Sequence, residues 1–345
     1  KKINYLSKIN FMKYGFFAKS ERKFFNQTLG ISFGFRFDAD SFSEGSNILD
    51  NFSPRMSITY NLTKNENWKL NSSFGTYYKI PPYTILGYRN LEGTLVNKKS
   101  KYIRSNHVVL GLEHILSKSS RLTLEGFFKK YSQYPISIID KVSLANKGGG
   151  FEILGNEEIT SNGEGESFGI EILFQQKLSK NFYGIFAYTY FNSQFNDLSG
   201  NYLPSVWDSR HLISFSGGYK LKKNWEISSR WRFSGKTPYA PVNLNASLES
   251  YPELILDYTE LGNKKLSTFN LLDVRFDKKW NFKRYSLNFY VEIQNILAQT
   301  IPRPKEYGLN RSDSGELILP ISLFEINIDE NNNIPIPTIG FVVYF

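Results

Sequence analysis

Residues 286–295 read Ser286-Leu287-Asn288-Phe289-Tyr290-Val291-Glu292-Ile293-Gln294-Asn295, with Leu287, Phe289, Val291 and Ile293 alternating against Ser286, Asn288, Glu292 and Gln294. A period of two puts the apolar set on one face of a strand and the polar set on the other. The pattern recurs with Leu29, Ile31, Phe33, Phe35 and Phe37 against Thr28, Ser32, Arg36 and Asp38. It recurs with Phe168, Ile170, Ile172 and Phe174 against Ser167, Glu171 and Gln175. A further example has Trp225, Ile227, Trp231 and Phe233 opposite Glu226, Ser228, Arg230 and Arg232. About thirteen strands are predicted, beginning near Phe11, Thr28, Met56, Trp68, Val108, Leu122, Phe168, Phe182, His211, Trp225, Leu272, Ser286 and Ile336. No stretch carries a convincing helical period. Many predicted strands run to about ten residues or more, whereas soluble strands average about five or six and membrane strands need about nine to eleven.

The connections alternate in length in step with the strands. Short Lys-, Ser- or Asn-rich turns are predicted at 22–26, 63–67, 117–120, 178–181, 221–224 and 280–283. Between them lie long connections at 39–51, 79–104, 135–164, 195–208, 236–266 and 298–335. Soluble domains rarely tolerate so many long loops, whereas an up-and-down outer-membrane barrel combines short periplasmic turns with long extracellular loops. The predicted fold class is therefore all-β, a transmembrane antiparallel up-and-down β-barrel, with residues 1–345 contributing to one barrel domain.

Composition agrees. The chain has 345 residues, of which 41% are hydrophobic and 16% aromatic, with 22 Tyr and 29 Phe. Such aromatics are both strand formers and interface anchors. No apolar run approaches the roughly 18 residues of a membrane helix, so crossing a bilayer requires strands. The first residues, Lys1 to Lys8, lack an apolar core or small-residue cleavage site, and no signal peptide is expected there. The absence of Cys excludes disulfides, thiolate metal sites and Cys nucleophiles.

The chain stops at Phe345, with Ile339, Phe341, Val343 and Phe345 on one strand face. The pattern Thr338-x-Gly340-x-x-Val343-x-Phe345 resembles the C-terminal signature read by the outer-membrane assembly machinery, which makes Gly340, Val343 and Phe345 candidate signal residues. An ordinary edge strand ending in Phe is the alternative.

Longer stretches resemble TonB-dependent outer-membrane receptors of the type found in Bacteroidota. Gly15-Phe16-Phe17-Ala18 followed by Gly34-Phe35-Arg36-Phe37-Asp38 is similar to one of their strand pairs. Trp207-Asp208-Ser209-Arg210-His211 followed by Trp231-Arg232-Phe233-Ser234-Gly235-Lys236-Thr237-Pro238-Tyr239 resembles a late-barrel run. Leu272-Asp273-Val274-Arg275-Phe276-Asp277-Lys278 with Asn288 to Asn295 resembles the pair before the final strand. The resemblance implies the C-terminal part of a barrel of about 22 strands, with about nine strands and a plug upstream of Lys1. It also implies import of a scarce nutrient (metal chelate, oligosaccharide or peptide) driven by a TonB-type coupling protein acting through the plug. Expected partners are outer-membrane lipid and lipopolysaccharide, the upstream strands and plug in the same or a companion chain, and a surface lipoprotein. The alternatives are a plugless pore or secretion-channel component, or a soluble or surface β-structured adhesin. A propeller would show blade repeats, and none recurs at a fixed period.

Arg36, Arg55, Glu171, Arg230, Arg232, Asp273, Arg275 and Glu292 share the polar phase of their strands and would line a lumen or face a plug. Docking or ligand attraction is one reading; a structural ladder of paired charges is the other, and we favour the ladder. Tyr83, Tyr88 and Arg89 in one long connection, and Tyr239 and Tyr251 in another, suit ligand capture, with packing between loops an equal alternative.

No catalytic or cofactor motif is found, and neither an enzyme, a cofactor nor a metal centre is expected. His107, His114 and His211 lie far apart and read as packing or interface residues. Gly163-Glu164-Gly165-Glu166-Ser167-Phe168-Gly169 misses dinucleotide spacing and reads as loop-to-strand geometry. Asp329 to Asn333 begins like a calcium loop but has Ile334 where glycine is required, so a solvated loop is favoured. The net charge of +10 is spread over turns, loops and polar faces, which argues against nucleic acid and for anionic lipid or solutes.

Overall fold

A computed structural model describes residues 6–45, 47–148, 154–326 and 333–345. Sixteen strands are found among them: β1 (Lys13–Phe24), β2 (Leu29–Asp40), β3 (Ser53–Asn61), β4 (Trp68–Lys79), β5 (Ile103–Ser117), β6 (Ser120–Ser137), β7 (Ile159–Ser179), β8 (Phe182–Asn196), β9 (Tyr202–Pro204), β10 (His211–Lys220), β11 (Trp225–Ser234), β12 (Phe269–Asn281), β13 (Ser286–Gln294), β14 (Glu306–Leu309), β15 (Leu323–Ile326) and β16 (Ile336–Tyr344). Two short helices, α1 (Tyr83–Leu86) and α2 (Leu244–Ser250), sit in connections, and neither is long enough to cross a membrane.

Thirteen strands form one meandering antiparallel path, β1-β2-β3-β4-β5-β6-β7-β8-β10-β11-β12-β13-β16, with β9 added against β8 and β14–β15 forming a separate hairpin. The path is open, and among the described residues β1 and β16 each have one neighbour. The thirteen path strands correspond one to one with the predicted ones. The strands the periodicity does not reveal are β9, β14 and β15, of three or four residues each, because a period cannot establish itself over so short a run.

One prediction is corrected. β7 starts at Ile159, well before Phe168, so Gly163, Gly165, Ser167 and Gly169 lie inside a 21-residue strand. Neighbouring groups occupy the space their side chains would take. A Cβ on Gly165 would fall 2.2 Å from the Phe195 ring, one on Gly163 2.5 Å from the Tyr134 carbonyl, and one on Gly169 2.2 Å from the Tyr190 carbonyl. The glycines permit close approach within the sheet, and their lack of side chains hides the alternation.

By contacts the chain divides into two compact units, residues 1–116, 122–172 and 190–208, and residues 117–121, 173–189 and 209–345. In the second unit, register converts the alternation of single strands into whole rows. Tyr219, Ile227, Phe276, Val291 and Ile339 face one another across β10, β11, β12, β13 and β16. The adjacent row is Gly218, Ser228, Arg275, Glu292 and Thr338. In the first unit, Ser20, Phe33, Met56, Phe74 and Val108 make one row, and Lys19, Gly34, Arg55, Gly75 and His107 the next. Phe276, Ile339, Phe33 and Phe74 are exposed. A wide apolar face left uncovered is what contact with lipid requires.

The buried core of the first unit sits largely in and beside its connections. Ile85, Leu86, Ile136, Ala145 and Phe195 have at most 1% exposure. Asn97 ties this region together: its Nδ2 donates to the carbonyls of Ile85 (3.1 Å) and Glu157 (2.7 Å), and its Oδ1 accepts from the Ile159 N–H (3.0 Å). Asn146 donates to the Leu203 and Pro204 carbonyls, and Lys147 pairs with Asp140 and Glu157 at 2.5 Å each. Buried backbone groups in a connection must find partners, and these amide side chains supply them.

Candidate functional site

The polar rows carry most of the expected charged residues, and register decides their partners. In the second unit Arg230 lies opposite Asp273, and its guanidinium donates to one Asp273 oxygen at 2.9 and 3.1 Å. Arg232 approaches the same carboxylate at 3.8 Å. The other Asp273 oxygen accepts the backbone N–H of Asn295 at 3.0 Å, which fastens the root of the longest connection. Arg275 forks onto Asp277 through two bonds of 2.8 Å and reaches Glu292 at 3.5 Å. Asp277 also accepts from Asn288 (2.7 Å), and Tyr183 donates to Glu226.

In the first unit Arg36 forks onto Asp38 at 2.6 Å. Arg36–Asp38 and Arg275–Asp277 share the spacing Arg-x-Asp, which places both side chains on one strand face. Arg55 differs. It lies over the Tyr77 ring, 4.3 Å from the centroid, and among the described residues no carboxylate lies within ion-pairing distance of it. Glu171 sits on the polar phase of β7, half-buried.

A stacked arrangement recurs on this face. Arg275 lies 3.8 Å over Tyr290, and Tyr290 lies over Gly340, where a Cβ would be 2.5 Å from the ring. In the first unit Arg55 lies over Tyr77, and Tyr77 over Gly75, where a Cβ would be 2.9 Å away. Glycine makes room, tyrosine covers the bare backbone, and the ring face holds a guanidinium. Single-sequence alternation does not reveal this, since each guanidinium and the ring beneath it lie on neighbouring strands.

The loop residues fall into separate groups. In the first unit Tyr83 opens α1, packs edge-on against Phe11 at 5.3 Å and carries the Lys13 ammonium over its ring. Tyr88 follows the same helix with its N–H on the Ile85 carbonyl, and Arg89 donates to the Gly93 carbonyl at 2.7 Å. In the second unit Tyr239 donates its N–H to Lys264, and exposed Tyr251 ends α2. Between the connections, Tyr102 donates to Asp40 at 2.8 Å; burial, then the Asp40 carboxylate, raises the Tyr102 phenol above its ordinary value.

His107 hydrogen-bonds Ser105 at 2.7 Å, His114 stacks on Trp68 at 3.9 Å, and His211 meets the Tyr188 hydroxyl at 2.9 Å. Among the described residues no group of three or more His, Asp or Glu side chains could hold a metal ion. Asp329 to Asn332 lie outside the described residues. At the C-terminus, Gly340 seats Tyr290, Val343 faces Leu287, and Phe345 is fully exposed beyond β16.

Residues 3–296 match the family model "TonB dependent receptor-like, beta-barrel". No curated protein matches the chain. Among solved structures, it is similar to FpvA of Pseudomonas aeruginosa bound to an iron–pyoverdine, at a TM-score of 0.62 and 14% identity, covering 97% of this chain and 38% of that one. It is similar to the outer-membrane transporter YddB of Escherichia coli, at 0.60 and 12%, covering 91% and 44%. It is similar to BauA, the ferric preacinetobactin receptor of Acinetobacter baumannii, at 0.57 and 14%, covering 97% and 43%. The chain thus spans about two fifths of the length of these structures.

Proposed function

The chain belongs to the TonB-dependent receptor-like β-barrel family, and from that premise we propose that it forms wall strands of a receptor importing a scarce nutrient by energy-coupled transport. It is an integral outer-membrane β-barrel polypeptide. In this reading residues 1–345 are the C-terminal portion of one barrel domain of about 22 strands, of the Bacteroidota type, completed by a plug and further strands from the same or a companion chain. The motifs shared with that group and the coverage of two fifths of the similar structures support it. A TonB-type protein acting through the plug supplies the energy, lipopolysaccharide surrounds the outer rim, and a surface lipoprotein is a further partner. The wall performs no covalent chemistry. Metal chelates come first among the cargo classes, since one of the similar structures is described as an iron complex and another is named as a ferric preacinetobactin receptor; oligosaccharides and peptides follow.

The observation that carries the reading is the register-wide separation of faces. One row is apolar from β10 to β16, and its neighbour is polar and charge-paired. Such a wall separates lipid from an aqueous or plugged interior. The expected topology puts the connections at 79–104, 135–164, 236–266 and 298–335 outside the cell, and the turns at Lys118 and Lys222 in the periplasm. The test is to record the purified full-length protein in planar bilayers and to measure uptake of ferric chelates, oligosaccharides and peptides by cells with and without the gene. A closed bilayer with loss of one energised uptake supports the proposal. A steady open conductance would identify a plugless pore instead.

A further inference from the structure

The polar face of β1–β4 holds an open cavity of about 400 Å³, lined among others by Lys19, Gly34, Arg36, Arg55, Ser57 and Tyr77. Four of the five arginines expected on the polar face already have carboxylates on the wall: Arg36 has Asp38, Arg230 and Arg232 share Asp273, and Arg275 has Asp277 and Glu292. Among the described residues Arg55 has the Tyr77 ring and no carboxylate within ion-pairing distance.

On the β2 side of Arg55, Gly34 adds no side chain, and on its β4 side the ring of Tyr77 covers Gly75. Register flanks Arg55 with Gly34 on β2 and Gly75 on β4, and places Lys19 beyond Gly34 on β1. Strands are spaced by about 4.8 Å, so Lys19 and Arg55 stand roughly 10 Å apart with no side chain between them. The Lys19–Glu21 pair, at 3.3 Å and more than half exposed on both sides, is a weak competitor for the ammonium. The Tyr77 ring takes up none of the guanidinium's N–H donors, and a guanidinium with donors to spare suits two-point binding of an oxyanion. The volume falls near the low end of the range for small-molecule sites. Arg55 is the third residue of β3, counted from the end that joins the long 41–52 connection. That is about 7 Å of strand from the side where, in the expected topology, solutes arrive.

We propose that Arg55, with Lys19 across Gly34 and with Tyr77 as its platform, is a binding site for the carboxylate groups of a small anionic solute. The inference deepens the reading above, since it requires the polar face to line an interior open to that solute.

The test is calorimetric titration of the solubilised full-length protein with citrate as a polycarboxylate probe, and with glycerol as a neutral control. Wild type is expected to bind citrate and not glycerol. Arg55→Gln should weaken citrate binding about tenfold, the scale of one lost charge-assisted contact. Gly34→Leu, which fills the space between the cations, should weaken it comparably, whereas Arg275→Gln should change it less than about twofold. Retained heat-modifiable migration on gels verifies that each variant is folded. Undiminished citrate binding by folded Arg55→Gln, or no citrate binding by wild type, overturns the proposal. Calorimetry needs neither an energised membrane nor transport, so a negative result leaves the uptake experiment standing, and failed uptake leaves this result standing.

Discussion

Tyr290 lies across Gly340: the two residues pair between β13 and β16, and a Cβ at position 340 would come within 2.5 Å of the tyrosine ring. The same ring carries Arg275 on its face. Gly340→Ala must therefore displace the Tyr290 ring and disturb its contact with Arg275. The expected cost is about 1–3 kcal/mol, read as a lower urea midpoint for the protein folded in lipid vesicles. Deleting Phe345 should act differently, since that residue is fully exposed. Its removal is expected to lower outer-membrane levels in cells while leaving the urea midpoint almost unchanged. Equal effects on both measurements would merge the two roles.

The lipid-facing row supplies a second prediction. Val291 stands between Phe276 and Ile339, all apolar, whereas Asn288 shares the polar phase and donates to Asp277. Val291→Arg should cost about 2–4 kcal/mol of folding into vesicles if it lies near the midplane. Asn288→Arg should cost less. The opposite order would mean that the faces are inverted.

The Tyr102–Asp40 contact ties the 80–102 connection to the base of the 41–52 connection. Because burial and Asp40 raise the phenol, the neutral form is favoured in the folded protein. The sign follows: the contribution is complete below the ordinary value of 10.0 and is lost as pH rises through the higher folded value. Hydrogen exchange in 41–52 should therefore stay protected up to about pH 10 and loosen above it. Tyr102→Phe should loosen the segment at every pH. Equal protection in the variant and wild type would show that the hydroxyl does not hold the loops together.

Topology can be tested directly because the chain has no cysteine. Ser314→Cys in the longest connection should react with a membrane-impermeant maleimide on intact cells, and Lys118→Cys in a short turn should not. The reverse pattern would turn the wall upside down.

Much of the wall was legible in the sequence because each strand repeats the same contrast between lipid and interior. The β13 residues Leu287 to Gln294 declare both faces without help from any neighbour. Where side chains vanish, so does the signal. The glycines of β7 conceal nine residues of strand because they answer to Phe195, Tyr134 and Tyr190, which lie elsewhere in the chain. The Arg-x-Asp spacing of Arg36-x-Asp38 and Arg275-x-Asp277 places each pair on one strand face, but which charges pair across strands is not in the spacing. That Arg230 and Arg232 share Asp273, while Arg55 has no carboxylate among the described residues, depends on register, and register is fixed by relations between strands. Tyr83, Tyr88 and Arg89 lie on one connection and Tyr239 and Tyr251 on another. The helices beneath Tyr83 and Tyr251 are too short to carry a period.

The packed connections of the first unit bear on binding kinetics. Ile85, Leu86, Ile136 and Ala145 are out of water, and Asn97 holds the 80–102 connection to Glu157 and Ile159. The conformational entropy of that region is surrendered when the chain folds, so a solute meeting it has a preorganised surface and little ordering left to impose. Encounter should then be governed by diffusion and charge, and selectivity by how long a solute stays.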